Sequence, residues 1–218
     1  MQSLGHIVVI GGGIAGASSA YYLAASGRFD RVSLLEAEAQ LAHHTTGRSA
    51  ALLIENYGAG PVRPLTTASL DFFHSPPADL VDHPVIEPRG IMTIATRTAD
   101  YDLLDEQLAD GAHIANPVVE LPLDQAAEIS PHIVFGPEHR VMWEHCAHSI
   151  DVAGVHQAYV RGLKQAGGEI HTSRRVDAAR PSHHGWLVET TTGDLQADIV
   201  VNAAGAWGDV VAVAAGIA

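Results

Sequence analysis

A single cysteine, Cys146, stands in 218 residues. It excludes an internal disulfide framework and fits a reducing compartment, so a cytoplasmic location is expected. Cations are scarce as well: 12 Lys and Arg face 25 Asp and Glu, a formal charge of −13. Nucleic acid binding needs clustered positive charge against phosphates, so nucleic acid is not an expected partner. No apolar run approaches the ~18 residues that span a bilayer. The first hydrophobic segment, Ile7 to Ile10, is too short for the core of a signal peptide. The expectation is a soluble protein with nothing cleaved from its front, reaching a membrane only indirectly through a partner. No internal repeat is visible. What remains is an ordinary globular composition, 47% apolar and 17% charged, long enough to bury a sizeable core and suited to small-molecule chemistry.

The N-terminus carries the clearest organisation. His6 to Ile10 (HIVVI) is a β-branched apolar run that ends in Gly11-Gly12-Gly13, as a strand buried on both faces meets a turn. Ile14 to Ser26 is rich in alanine and stops at Gly27, a residue type that closes helices in the left-handed conformation. Arg31 to Leu35 supplies a second strand, closed by Glu36. The order strand, glycine-rich turn, helix, strand is one βαβ unit.

Further on, Thr45 to Leu65 is small and polar, with Gly47, Gly58, Gly60, Pro61 and Pro64, which predicts a long structured loop and then a short helix. Pro76-Pro77 and Pro84 interrupt the next stretch. Gly90 to Thr96 then reads as a strand, and Ala99 to Ala109 as a helix with Leu103, Leu104 and Leu108 on one face. Asp151 is expected to cap a helix running to about Ala166, with Val152, Val155, Tyr159 and Leu163 at helical spacing and Gly167-Gly168 ending it. Glu169 to His171 and Arg175-Val176 resume strand character. Trp186 to Thr190 and Leu195 to Asn202 flank Thr192-Gly193-Asp194, and so predict a hairpin whose second arm contains Ile199 to Val201.

Gly11-x-Gly13-x-x-Gly16 has the spacing of a dinucleotide fingerprint. The first glycine makes the tight turn, the second lets backbone approach a pyrophosphate, and the third lets helix and strand pack closely. The free N–H groups of the helix start, Ile14 and Ala15, then face the phosphates. Glu36 stands 20 residues after Gly16, where an acid at the end of the next strand binds ribose hydroxyls, with Ala37 beside it. Context raises a weak motif to a strong one here, since the triplet follows a strand and opens a helix. A glycine-rich turn that merely packs is the alternative.

The segment His44-Thr45-Thr46-Gly47-Arg48-Ser49-Ala50-Ala51 resembles the flavin-wrapping loop of the glycine oxidase, sarcosine oxidase and D-amino-acid dehydrogenase superfamily of FAD-dependent oxidoreductases. Ile150-Asp151 opening a helix that ends in Gly167-Gly168, and Val200-Val201-Asn202-Ala203-Ala204-Gly205-Ala206-Trp207, resemble the same superfamily. The resemblance implies an α/β fold: a Rossmann-like FAD-binding domain of the glutathione-reductase-like type with part of an inserted α+β substrate lobe. The expected division is residues 1–75 and 142–218 for the FAD-binding domain, with 76–141 as the partial lobe. It implies FAD as cofactor, held further by Val176 on the adenine side and by Ala204, Gly205 and Trp207 near the last strand. It also implies that the chain is an N-terminal portion, with a second cofactor-binding segment and much of the substrate lobe lying beyond Ala218.

The reaction so implied is oxidation of an amine or amino acid, expected to be a D-amino acid, to an imine by hydride transfer to flavin. The partner is therefore a small-molecule amine or amino acid, with an electron acceptor left open. A hydroxy-acid or glycerol-phosphate dehydrogenase on the same scaffold, or a non-catalytic flavin-binding subunit completed by a partner, are alternatives. Within the superfamily, His44 to Ala51, Tyr57-Gly58 and Phe72-Phe73 with Pro76-Pro77 resemble the D-arginine dehydrogenase-like branch. Leu52, Leu53, Ile54 and Ile91 depart from it where polar, aromatic or acidic pocket residues would stand, which argues against a cationic substrate. Tyr57 is the one candidate substrate-pocket residue, against packing beneath the loop. No catalytic residue is assigned.

Histidines tempt a metal reading, but Glu144-His145-Cys146-Ala147-His148 lacks the second ligand pair of a closed zinc site, and no metal is expected. His44 is expected near the cofactor, with attachment to it or simple loop contact as other readings. Arg48 can pair with pyrophosphate or brace the loop. Arg174-Arg175 reads as a solvated strand edge.

Overall fold

The computed structural model describes residues 3–58 and 61–217; Gly60 of the predicted loop and Ala218 lie outside them. In chain order the elements are β1 (His6–Ile10), α1 (Ile14–Ala25), β2 (Arg31–Leu35), α2 (Thr45–Arg48), β3 (Leu52–Leu53), α3 (Arg63–His74), β4 (Ile86–Pro88) and β5 (Ile91–Ala95). They continue as α4 (Tyr101–Gly111), β6 (Val119–Leu121), α5 (Leu123–Ile129), β7 (Arg140–Glu144), β8 (His148–Ile150), α6 (Val152–Gln165) and β9 (Glu169–His171). Last come β10 (Val176–Ser182), β11 (Gly185–Thr190), β12 (Leu195–Ala197), β13 (Ile199–Asn202) and α7 (Gly208–Ala214). Contacts divide the chain into two compact units: Met1–Ser49 with Ala78–Asp82 and Val152–Ala218, and Ala50–Pro77 with His83–Asp151. These boundaries differ from breaks at 75/76 and 141/142, because α3 and the strands β7 and β8 pair and pack within the second unit.

The first unit is built on a parallel sheet in the order β13-β1-β2-β9, the arrangement of a dinucleotide-binding half, in which later strands add to both sides of the first. β1 is buried from Ile7 to Ile10, since both faces of the sheet are covered. Ile7 and Val9 pack with Ala20, Val32, Leu34 and Leu163, and Val8 and Ile10 pack with Leu35, Val188 and Ala197 on the opposite face. Successive side chains on a strand alternate faces, so helices α1 and α6 cover one side and the antiparallel meander β10-β11-β12 covers the other. Each fully buried Val, Leu or Ile of this kind contributes about 1.5–3 kcal/mol relative to exposure.

The expected hairpin is divided. Leu195–Ala197 pairs antiparallel with β11, whereas Ile199–Asn202 leaves it and pairs parallel with β1, Ile199 opposite Ile7 through Asn202 opposite Ile10. Asp198 makes the change of sheet: its N–H donates to the His6 carbonyl at 2.8 Å, and its carboxylate accepts the His6 N–H at 2.7 Å. A polar residue between two apolar arms thus transfers the chain from one sheet to the other. At the opposite side of the sheet, Arg31 of β2 forms a bidentate pair with Glu169 of β9 at 3.0 and 2.6 Å. That pair, aided by the His171 imidazole, holds the Glu169 carboxyl down at about 2.

The second unit contains two three-stranded antiparallel sheets, β3-β8-β4 and β5-β7-β6. Its core gathers Ala95, Leu104, Val118 and Met142. Leu104 is 2% exposed while Leu103 is 59% exposed, a correction to the face assigned to both. Neighbours in a helix are about 100° apart, so α4 can bury only one of them against β7. The predicted loop before Leu65 is also more structured than its composition suggests, holding the single turn α2 and the short strand β3. Glu144 ends β7 and is buried at 3% exposure, where its Oε1 accepts the N–H groups of Glu55 and Asn56 at 2.9 and 3.3 Å. Burial pushes its carboxyl above the usual range despite these two donors.

Candidate functional site

The first unit contains a cavity of about 610 Å³ at the carboxyl ends of β1, β2 and β13, where ligands of open α/β sheets bind. Its floor is the turn from Ile10 through Ala15. Gly11 has φ +110°, and a Cβ there would lie 2.4 Å from the Ala203 carbonyl oxygen. The turn passes that close to the end of β13 only with glycine. Gly13 also lines the cavity, and a Cβ on it would meet only Thr46 Oγ1, at 3.2 Å. Its glycine keeps the cavity wall low rather than relieving a clash. Gly16 lies beneath the turn, not on the cavity wall; a Cβ there would stand 1.7 Å from the Gly11 carbonyl oxygen, so it allows α1 to rise directly against β1.

Glu36 ends β2 and anchors the side wall. Its Oε2 accepts the Gly12 N–H at 2.7 Å and its Oε1 the Glu38 N–H at 2.9 Å. Each oxygen has a second lone pair for a hydroxyl donor. The loop after β2 closes the rim: Thr46 Oγ1 accepts the Ile14 N–H at 3.0 Å, and Ala42 N–H donates to the Gly12 carbonyl at 3.1 Å. His44 shares a hydrogen bond with Glu38 at 2.9 Å, and its ring sits 4.5 Å from that of Trp207.

The cavity wall includes Gly11, Gly13, Ile14, Ala15, Glu36, Ala37, His44, Thr45, Thr46, Val176, Ala204, Gly205 and Trp207 of the expected cofactor residues. Gly47, Arg48 and Ser49 stand off it. A Cβ on Gly47 would lie 2.2 Å from the Ala42 carbonyl oxygen, Arg48 donates to the His43 carbonyl at 3.0 Å, and the Ser49 hydroxyl to the Thr45 carbonyl at 2.7 Å. These three fold the loop upon itself. Ala50 and Ala51 belong to the second unit, as does Tyr57, which is 74% exposed rather than packed beneath the loop.

The wall also includes Gly12, Glu38, Ala42, His43, Val210 and Val211, which sequence reasoning did not assign to the cofactor, with Ala203 and Ala206 of the segment resembling the superfamily and the pair Arg174 and Arg175. The two arginines border the cavity instead of a plain solvated edge. Their guanidinium groups are engaged elsewhere: Arg174 holds Thr190 Oγ1 at 3.0 Å and the Gly193 carbonyl at 2.8 Å, and Arg175 pairs with Asp177 at 2.9 Å. The signal for Gly12 was present, since a third consecutive glycine exceeds what the fingerprint requires. Val210 and Val211 carried no such signal.

Glu38, His43 and His44 bring three metal-type ligand atoms within 4.8 Å of one another, a grouping different from the Glu144 to His148 run weighed in the sequence. Arg48 Nη2 stands 3.5 Å from His43 Nε2, a fixed positive charge against the same ring. No helix among the described residues is long and apolar enough to cross a membrane.

Comparison with known proteins bears on this cavity. The profile of the DAO family, described as FAD dependent oxidoreductase, matches residues 6–217. The L-2-hydroxyglutarate dehydrogenase of Indibacter alkaliphilus is 21% identical over 213 residues, which are 94% of this chain and 51% of that protein. The crystal structure of glycine oxidase from Geobacillus kaustophilus superposes with a TM-score of 0.84 at 21% identity, covering 97% of this chain and 58% of the other. That of L-proline dehydrogenase from P. horikoshii gives 0.83 at 20% identity, covering 100% and 57%. The chain thus spans just over half the length of these relatives, and the solved structures share its fold. With a family profile matched over nearly the whole chain, this chain belongs to the DAO family of FAD-dependent oxidoreductases.

Proposed function

We propose that the chain forms the FAD-holding part of an enzyme that oxidises an amine or amino acid, with a D-amino acid as the first substrate to try. The observation that carries the reading is the cavity itself, in which the Gly11-to-Ala15 turn, the Glu36 carboxylate and the end of β13 converge. Gly11 lets the turn pass close to the end of β13, and Gly13 puts no side chain on the wall where backbone has to approach the diphosphate, so the residues present fit the cofactor. The N–H groups of the turn into α1, apart from that of Ile14, which donates to Thr46 Oγ1, receive the diphosphate, Glu36 accepts the ribose hydroxyls, and the backbone around Val176 borders the adenine. Thr45 and Thr46 close over the phosphates, while Ala204, Gly205 and Trp207 flank the path toward the ring system. His44, held by Glu38 with its ring tilted against that of Trp207, lies beside the cofactor.

When bound there, FAD would supply an electron sink for a hydride equivalent from the substrate α-carbon, with a proton lost from the nitrogen to leave an imine. The residues of this chain position the cofactor and exclude solvent from its phosphates. Tyr57, exposed in the second unit, is offered as a residue that borders the substrate. We take the first unit as the flavin-binding part and the second as part of a substrate lobe.

A second reading, oxidation of a 2-hydroxy acid, is favoured by the similarity to a protein named L-2-hydroxyglutarate dehydrogenase. The test is to load the chain with FAD, remove free cofactor, and follow bleaching of the flavin band under anaerobic conditions. Amino acids of both configurations and 2-hydroxy acids are added in turn. Bleaching by amino acids alone supports the first reading, and bleaching by hydroxy acids alone overturns it in favour of the second. If FAD is retained but no substrate of either class bleaches it, catalysis by this chain alone is refuted and a flavin-holding role completed by a partner replaces it.

A further inference from the structure

Gly12, the residue between the first two fingerprint glycines, is held from three directions. Its N–H donates to Glu36 Oε2 at 2.7 Å. Its carbonyl accepts the Ala42 N–H at 3.1 Å and also faces His156 Nε2 at 2.9 Å. His156 is 144 positions away in sequence, on α6, and only 5% exposed. Glu36 and Ala42 belong to the rim of the cavity, but α6 is part of the core: Leu163 packs with Ile7, Val9 and Leu34, and a Cβ on Gly162 would meet the Tyr21 ring at 2.7 Å. His156 therefore ties the turn to a rigid element.

A carbonyl has no hydrogen to give, so Nε2 of His156 carries the proton and donates. The carbonyl already has one donor in Ala42, and a second fills its other lone pair. Satisfaction alone would not require it; two donors in different directions fix the orientation of the peptide. All peptide bonds among the described residues are trans. A trans peptide is planar, with its C=O and N–H pointing in opposite directions. Holding the Gly12 carbonyl toward α6 therefore aims the Gly13 N–H the other way, and Gly13 lines the cavity. If this peptide turned over, a carbonyl oxygen would face the region where N–H groups receive an anion.

We propose that His156 is a positioning residue for the diphosphate of FAD, holding the Gly12–Gly13 peptide so that an N–H group, not a carbonyl, faces the phosphates. The inference rests on FAD occupying this cavity. It deepens that reading by naming a buried histidine outside the fingerprint as part of the phosphate cradle.

The experiment compares the wild-type chain with His156→Leu, which removes the donor, and His156→Gln, which keeps an N–H group of similar reach. FAD and ADP affinities are measured by fluorescence and by competition, and adenosine, which lacks phosphates, by chemical-shift titration. His156→Leu is expected to weaken FAD and ADP at least about tenfold, to leave adenosine binding unchanged, and to be largely rescued in His156→Gln. Imidazole ¹⁵N spectra of the wild type are expected to show the proton on Nε2. Unchanged FAD and ADP affinity in a folded His156→Leu overturns the proposal, as does equal weakening of adenosine, which marks a general packing role. If His156→Leu does not fold, His156→Gln and the ¹⁵N spectrum decide: an unprotonated Nε2, or loss of ADP affinity in the glutamine variant, is contrary. A wild-type chain that binds neither FAD nor ADP instead refutes the cofactor reading itself.

Discussion

Alanine at Gly11 and alanine at Gly13 separate the two tasks that the glycine-rich turn performs. At Gly11 an added Cβ would lie 2.4 Å from the Ala203 carbonyl oxygen and 2.9 Å from the Ala204 Cα. All of that is backbone, so nothing can rotate away. The residue also has φ +110°, a conformation that costs a non-glycine residue roughly 1–3 kcal/mol before any clash is counted. With displacement of β13 from the turn added, Gly11→Ala is expected to destabilise the first unit by about 2–4 kcal/mol. For a chain of this length that is a fall in Tm of roughly 4–16 °C.

Gly13 has an ordinary φ of −76°, and its added Cβ would approach only the Thr46 hydroxyl, at 3.2 Å. Gly13→Ala should therefore change stability by less than about 1 kcal/mol. The methyl group would nevertheless stand on the cavity wall, where backbone has to approach the diphosphate. An affinity loss of tenfold or more, about 1.4 kcal/mol, is expected for FAD. Thermal denaturation of the cofactor-free variants gives the first quantity and fluorescence titration with FAD the second. Equal destabilisation of both variants would refute the assignment of conformational strain to Gly11 alone. Undiminished FAD affinity in Gly13→Ala would refute close backbone approach at the second glycine.

Glu144 offers a pH-dependent test in the second unit. Burial raises its carboxyl pKa in the folded state, so its favourable contribution is complete below the unfolded value and is lost as pH rises through the folded one. Glu144→Gln keeps an oxygen for the Glu55 and Asn56 N–H groups, and its Tm relative to wild type is expected to rise between pH 4 and pH 8; no rise would show that the carboxylate is well compensated. Glu144→Ala leaves both donors unsatisfied and is expected to cost about 1–3 kcal/mol in chemical denaturation. On α4, Leu104→Ala should cost about 2–5 kcal/mol and Leu103→Ala less than about 0.5 kcal/mol. Equal losses would place both leucines in the core, contrary to their exposures of 2% and 59%.

The first βαβ unit was legible because its determinants are local. A continuous apolar run, a glycine triplet, an alanine-rich helix and an acid after the second strand follow one another within 36 residues. Each specifies its own conformation, and together they place Gly11, Gly13 and Glu36 around one cavity. The resemblance also pointed to FAD, and the family match agrees with it. Segments whose partners lie far away in sequence were harder to read. Leu195 to Asn202 has the alternation of one hairpin arm, and nothing in its composition says that Asp198 will bond to His6 and send Ile199–Asn202 beside β1. Leu103 and Leu104 are equally apolar, and only the side from which β7 approaches α4 decides which is buried.

By itself the sequence determined the period of each element, the turn that requires glycine, and the charge balance that disfavours nucleic acid, since these depend on backbone sterics and on composition. The tertiary structure alone decided that Arg174 and Arg175 border the cavity with their charges engaged elsewhere, that Gly47 to Ser49 fold the loop instead of lining it, and that His156 reaches Gly12. A hydrogen bond between residues 144 positions apart leaves no periodic or local trace in a single sequence. It exists only once α1, α6 and the parallel sheet have packed around their shared core.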